Sequence, residues 1–348
     1  MPPDLRAALL ALETETRANF AREASSLATP DRLDSFRGEL ARQHLDGFLV
    51  PMVDEYQGEY IPRAAARLPW LTGFTGSAGF AVVLPEKAAI FVDGRYTLQV
   101  REQVDPDCFA AHHSVTDPPE KWLQAALEPG MKIGFDPWLL TSSGLKPFSK
   151  ACAAAKADLV ACEENPVDCI WADQPPSPLS PVRAHEMRFA GRESAAKRKE
   201  IAATLGDADA VFLSQPATIA WLLNVRGGDL AHTPLSLSFA ILYRDDSLDW
   251  FLDPRKLSPN LRAHLGDDVR VKPRGDLAAV LAKLGQEKRT VLCHPRSTPV
   301  WVDARLRQAG AVVREGLDPC ALGKACKNAV ELEGARAAHI RDGAALVR

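Results

Sequence analysis

Arg226, Asp229 and His232 fall within one short segment, Asn224-Val225-Arg226-Gly227-Gly228-Asp229-Leu230-Ala231-His232-Thr233-Pro234. A guanidinium can clamp a carboxylate through two parallel hydrogen bonds. The paired glycines allow a ligand or a second backbone to approach closely. Loops held on a rigid scaffold are where binding groups usually sit. The same residues also read as an Arg226–Asp229 ion pair that only pins a turn.

Other patterns carry less chemistry. Gly73-Phe74-Thr75-Gly76-Ser77-Ala78-Gly79 has the glycine content of a phosphate loop. Its spacing is wrong, because a dinucleotide fingerprint needs G-x-G-x-x-G between a strand and a helix. Thr75–Gly79 is one residue short of G-x-S-x-G, and Phe80–Leu84 after it reads as strand where a nucleophile elbow needs helix. A tight glycine turn feeding a strand is expected. His112 and His113 are adjacent and project in different directions, while His44, His185, His264, His294 and His339 are scattered. H-E-x-x-H is absent, so no metal site and no catalytic residue is expected within this chain. The seven cysteines are odd in number and contain no C-x-x-C. They are expected to be reduced and mostly buried. Asp93, before Gly94-Arg95-Tyr96, is expected where a strand ends and a helix opens, in a structural role.

Composition narrows the classes of function. The chain has 348 residues, with 42 Lys+Arg against 45 Asp+Glu and a formal charge of −3. There is no basic excess to grip nucleic acid, and no apolar run long enough to span a membrane. Met1–Arg22 alternates apolar and charged residues and does not read as a secretory signal. A cytoplasmic protein of two domains is expected.

The elements that position these residues come from a weak internal repeat. Asp46–Val50 matches Asp209–Leu213, and Pro69–Gly73 matches Ala220–Asn224. Gly79–Leu84 matches Ser238–Tyr243, Ala89–Arg95 matches Asp249–Arg255, and Lys132–Pro137 matches Thr290–Pro295. The order is shared and the offset is about 160 residues throughout, which argues for two copies of one domain. Each copy holds a strand pair joined by a short turn, at Pro85–Lys87 and at Arg244–Ser247. Helices are expected from Thr29-Pro30, with Leu33, Phe36 and Leu40 on one stripe, and from about Glu193 to Gly206. Strands alternating with helices, plus hairpins, give an α/β fold with mixed sheets. The expected division is an N-terminal helical extension over 1–28, domain I over 29–172, a linker over 173–181, domain II over 182–325, and a helix over 326–348. The linker has four prolines in nine residues, so it is semi-extended and stiff. The last helix opens on Asn328-Ala329-Val330-Glu331, the form of a capping box, and carries no stop signal. A further domain is expected after it.

Several segments together resemble the three-domain Xaa-Pro aminopeptidases (aminopeptidase P) of the creatinase/prolidase superfamily. They are Gln57–Ile61, Gly73–Gly79, Asp93–Tyr96, Asp168-Cys169-Ile170-Trp171, Ala220–Gly227 and Lys327-Asn328 through Asp342. The resemblance runs from about Thr29 to Arg348. It implies two creatinase N-terminal-like (ribonuclease H-like) domains ahead of a pita-bread catalytic domain, of which Asn328–Arg348 is the first helix. It implies that two Mn²⁺ sit in that missing domain, with no cofactor in this chain, which alone is then inactive. The complete enzyme removes the residue before proline from peptides with proline at the second position, through a metal-bound hydroxide. The amino-terminal domains shape the substrate entrance and support assembly, including a homodimer; Arg226, Asp229 and His232 become candidates for that entrance. The alternatives are a stand-alone peptide-binding or interaction module and part of a creatinase-like amidinohydrolase.

Overall fold

The computed structural model describes residues 29–348. The expected extension over 1–28 lies outside the described residues. Domain I holds the strands β1 (Gly47–Pro51), β2 (Gly79–Val83), β3 (Ala88–Val92), β4 (Ala110–His113), β5 (Lys132–Phe135) and β6 (Asp158–Ala161), the central ones dictated by short apolar runs. They form one sheet in the order β4-β3-β2-β1-β5-β6. The pairs β1–β2 and β2–β3 are antiparallel, and the other three are parallel.

After the connector come β7 (Arg183–Ala184), β8 (Ala210–Leu213), β9 (Val225–Arg226), β10 (Phe239–Tyr243), β11 (Leu248–Phe251), β12 (Val269–Lys272), β13 (Thr290–Cys293) and β14 (Val312–Glu315). The second sheet runs β12-β11-β10-β8-β13-β14, with the same pattern of parallel and antiparallel pairs as the first. β7 and β9 form a separate two-stranded ribbon. The five sequence matches fall on equivalent elements: β1 and β8, β2 and β10, β3 and β11, β5 and β13, and the helices Arg67–Thr72 and Pro216–Leu223.

The central strands are buried on both faces, which explains their unbroken apolar runs. Alternate residues serve alternate cores. In β1, Phe48 and Val50 join one cluster with Phe36, Leu71 and Trp171. Leu49 joins the other with Phe91, Leu123 and Phe148. In β8, Val211 and Leu213 pack with Leu222 and Trp250, while Ala210 and Phe212 pack with Phe239 and Leu281. The outer strands β4, β6, β12 and β14 are only partly buried and gave no repeat signal.

The two domains meet through equivalent segments. Pro137 and Pro295 are each the second residue past β5 and β13, and Ser143 and Trp301 are each the eighth. The Trp301 amide donates to Pro137 O at 2.9 Å, and the Ser143 amide donates to Pro295 O at 3.0 Å. These two bonds are mates about a local twofold axis, the pattern of a dimer interface within one chain. Val300 N adds a bond to Leu140 O at 2.8 Å. The Trp138 and Trp301 rings stack over this seam with centroids 4.1 Å apart, and Trp138 also lies against Phe239 at 5.7 Å.

One detail differs from expectation. The helix after Asp93 opens only at Gln99. Asp93 instead accepts from the Arg95 amide at 3.0 Å and pairs with the Arg95 guanidinium, which holds its carboxyl below the ordinary range. Asp253 and Arg255 make the same turn in the second copy. A side-chain oxygen that caps two residues on needs no helix behind it. The glycine run at Gly73–Gly79 is, as expected, a turn into β2, with Gly73 at a φ of 79°. Trp301→Ala is expected to lower stability by about 2 kcal/mol through loss of the Trp138 stack. A urea titration reads this as a lower midpoint.

Candidate functional site

Where the two sheets and the connector meet lies a cleft of about 230 Å³. The turn after β1 supplies one wall. Asp54 Oδ1 accepts from the amides of Tyr56 and Gly58, each at 3.0 Å, a side-chain-built turn. Gln57 takes a φ of 56° there and donates to Trp138 O. Asp54 is wholly buried, and its Oδ2 has no partner. Burial pushes its carboxyl up to about 6, against the Gly58 amide bond, and the charge on Glu55 adds to the rise.

That turn aims Tyr56 into domain II, where its ring lies 4.6 Å from Phe239. Burial raises the phenol well above its ordinary range. Glu55, beside it, faces two guanidiniums: Arg67 Nη2 at 3.9 Å and Arg274 Nη2 at 3.7 Å. These separations exceed hydrogen-bond distance.

Arg67 opens the helix Arg67–Thr72. Its Nε and Nη2 donate to Asp168 Oδ1 and Oδ2, both at 2.8 Å. Asp168 is carried by the helix Pro166–Ile170, capped by the Asn165 side chain. Burial works against the Arg67 charge, but Asp168 and Glu55 more than offset it. Arg67 Nη1 is buried without a partner. Gln174 in the connector donates to Asp168 Oδ1 and to Ala64 O, both at 2.9 Å. The proline-rich segment is thus tied down onto domain I.

Domain II supplies Lys256, Leu237 and Arg274. Arg274 lies over three rings, 5.0 Å from Trp138, 5.6 Å from Phe239 and 5.9 Å from Tyr56. Cation–π attraction fixes its head at the domain boundary. Lys256 Nζ meets Asp229 Oδ2 at 2.5 Å, and both side chains are buried. The Leu237 amide donates to the same oxygen at 2.7 Å. The Lys256 carbonyl accepts from Val182 N, just past the connector.

None of the three sequence candidates lines this cleft; Asp229 lies behind it as the buried partner of Lys256. No Arg226–Asp229 pair forms. β9 turns Arg226 away, and its Nη1 donates to Val225 O at 2.8 Å and to Ala220 O at 3.4 Å. That satisfies a carbonyl near the end of the helix Pro216–Leu223. His232 is exposed, with a φ of 58°. Two glycines and a positive-φ histidine let the loop fold back on itself, which separates residues that are close in sequence. Glu55, Tyr56, Arg67, Lys256 and Arg274 were missed by sequence reasoning. The Arg67–Asp168 pair spans 101 positions, and no periodicity or motif links them.

Comparison with known proteins covers both domains. A Creatinase/Prolidase N-terminal domain model matches residues 32–168, and a second of the same description matches 173–331. A probable Xaa-Pro aminopeptidase P of Aspergillus clavatus is 32% identical over 344 residues, covering 95% of this chain and 52% of that protein. Its counterpart in Aspergillus niger is 33% identical over 333 residues, covering 92% and 54%. The crystal structure of X-prolyl aminopeptidase from Caenorhabditis elegans, described as a cytosolic enzyme with a di-nuclear active site, matches with a TM-score of 0.86 at 28% identity. That match covers 92% of this chain and 55% of the other. The chain spans about half the length of the relatives it matches.

Two outcomes follow from the buried charges. The folded chain holds the Asp54 proton more tightly than the unfolded chain, whose ordinary value is 3.8. The resulting stability is fully present below about pH 4 and is lost as pH rises to about 6, a change of roughly 2–3 kcal/mol. Asp54→Asn keeps an oxygen for both amides and is expected to flatten this window relative to wild type in denaturant titrations at pH 4 to 7. Lys256→Met strands a buried carboxylate and is expected to cost about 3–5 kcal/mol. The double variant Lys256→Met/Asp229→Asn is expected to recover much of that loss in the same assay.

Proposed function

Both halves of this chain belong to the creatinase/prolidase N-terminal domain family, arranged as in the X-prolyl aminopeptidase of Caenorhabditis elegans, and on that premise we propose that the chain forms the amino-terminal, non-catalytic part of a metal-dependent Xaa-Pro aminopeptidase. Its substrates are then peptides with proline at the second position. The two domains shape the entrance to a catalytic domain and support assembly, including a homodimer.

The observation that carries this reading is the shared arrangement of both domains, a TM-score of 0.86 over 92% of the chain. A wall that selects peptides by length must hold its shape. The seam has the stiffness such a wall needs, because two symmetric backbone bonds, a third beside them and a tryptophan stack lock the domains together. Among the described residues no three His, Cys, Asp or Glu side chains converge as a metal site. On this reading the manganese pair belongs to the catalytic domain of the complete enzyme, and no hydrolytic step is assigned to the described residues. No helix among the described residues is long and apolar enough to cross a membrane. All seven cysteines are unpaired, which accords with a cytoplasmic setting.

The test is release of alanine from Ala-Pro-Ala by the purified chain with Mn²⁺, followed by chromatography. The expected result is no release above a Mn²⁺ blank. Release that tracks the protein through purification would overturn the non-catalytic assignment.

A further inference from the structure

The polar lining of the interdomain cleft has hydrogen-bonding capacity that the protein itself does not use. Arg67 is 7% exposed, and its Nη1 has no partner. Glu55 is four-fifths buried, yet its carboxylate makes only the two long contacts to Arg67 and Arg274. The Arg274 head rests on aromatic faces, which leaves its N–H edge available. Buried polar groups in native proteins are normally satisfied, so Arg67 Nη1 beside these two half-open charges calls for an explanation.

The geometry points to a binding site for a small α-amino-acid zwitterion in this cleft, with the ligand carboxylate on Arg67 and Arg274 and its ammonium on Glu55. Three features select that class. The charges alternate at short range, since Glu55 Oε1 lies 3.9 Å from one guanidinium and 3.7 Å from the other. A ligand must therefore present opposite charges from neighbouring atoms, as an α-amino acid does and a longer peptide does not. The charges at the cleft balance once Asp229, buried behind Lys256, is counted, because Arg67 pairs with Asp168, Lys256 with Asp229 and Arg274 faces Glu55. A lone anion or cation would upset that balance, and a zwitterion keeps it. The volume of about 230 Å³ falls below that of pockets for drug-sized ligands. Pro62, Ala65 and Leu237 give the cleft an apolar wall for an aliphatic side chain. The cleft lies between the domains and against the connector, so occupancy would tighten the seam. This inference does not rest on the peptidase reading, because it concerns the chain by itself.

The experiment is isothermal titration of the chain with L-leucine, N-acetyl-L-leucine, L-leucinamide and L-leucyl-L-leucine. L-leucine is expected to bind at one site with a Kd in the millimolar range or tighter. Capping either end, or lengthening to the dipeptide, is expected to weaken binding at least about tenfold. Glu55→Gln keeps the shape of the side chain and is expected to cause a similar loss, with leucinamide and leucine both affected. Arg274→Met keeps the packing on the rings and is expected to weaken leucine and leucinamide unequally, leucine more. Circular dichroism and the unfolding midpoint establish that each variant is folded. Absence of binding at tens of millimolar, equal binding of the capped forms, tighter binding of the dipeptide, or indifference to Glu55→Gln in a folded variant would each overturn the assignment.

Discussion

The seam between β5 and β13 supports everything else. The Trp301 amide on Pro137 O and the Ser143 amide on Pro295 O are two copies of one contact. Each domain has its own buried sheet and could in principle stand alone. The cleft could not. Its walls come from Glu55, Tyr56 and Arg67 on one side and Leu237, Lys256 and Arg274 on the other. Their spacing is set by a few backbone bonds and the Trp138–Trp301 stack. Asp136 contributes at one remove: it accepts from the Trp138 amide at 2.9 Å and from Asn165 at 2.9 Å. Its burial raises its own carboxyl while fixing where the indole stands.

Around that seam the charges are handled in two ways. Lys256–Asp229 is an enclosed pair, further held by the Leu237 amide, with every contact made to Asp229 Oδ2. It secures the loop that carries Asp229 and the chain that follows the connector. Arg67–Asp168 is closed on one edge only, bidentate toward Asp168 with Nη1 left over. Each pair therefore keeps one buried atom without a partner, Asp229 Oδ1 in one and Arg67 Nη1 in the other, and what distinguishes Arg67 is that it lines the cleft.

Much of the fold was legible in the sequence because burial on two faces writes long apolar runs. Phe48–Val50, Phe80–Val83, Ala89–Val92 and their partners in the second half all carry that mark. The duplication could be read from them, and the resemblance to aminopeptidase P placed them in a family. The edge strands Ala110–His113 and Val269–Lys272 escaped, because a half-exposed strand needs no apolar run. The capping box at Asn328 was visible and forms as expected, since it depends on residues three apart. Asp93 was misplaced relative to its helix, because an aspartate two residues before an arginine closes a turn without one.

The sequence by itself determined the central strands, their doubled order, the proline-rich connector and the family, because those depend on local composition and near neighbours. Only the tertiary structure decided the site. Arg226, Asp229 and His232 stand together in sequence, yet the loop's glycines and the β9 ribbon send them in three directions. Glu55, Arg67 and Arg274 stand far apart in sequence and meet because two sheets are joined at one seam. Contact between residues hundreds of positions apart is a property of packing, and packing leaves no periodic trace in the chain.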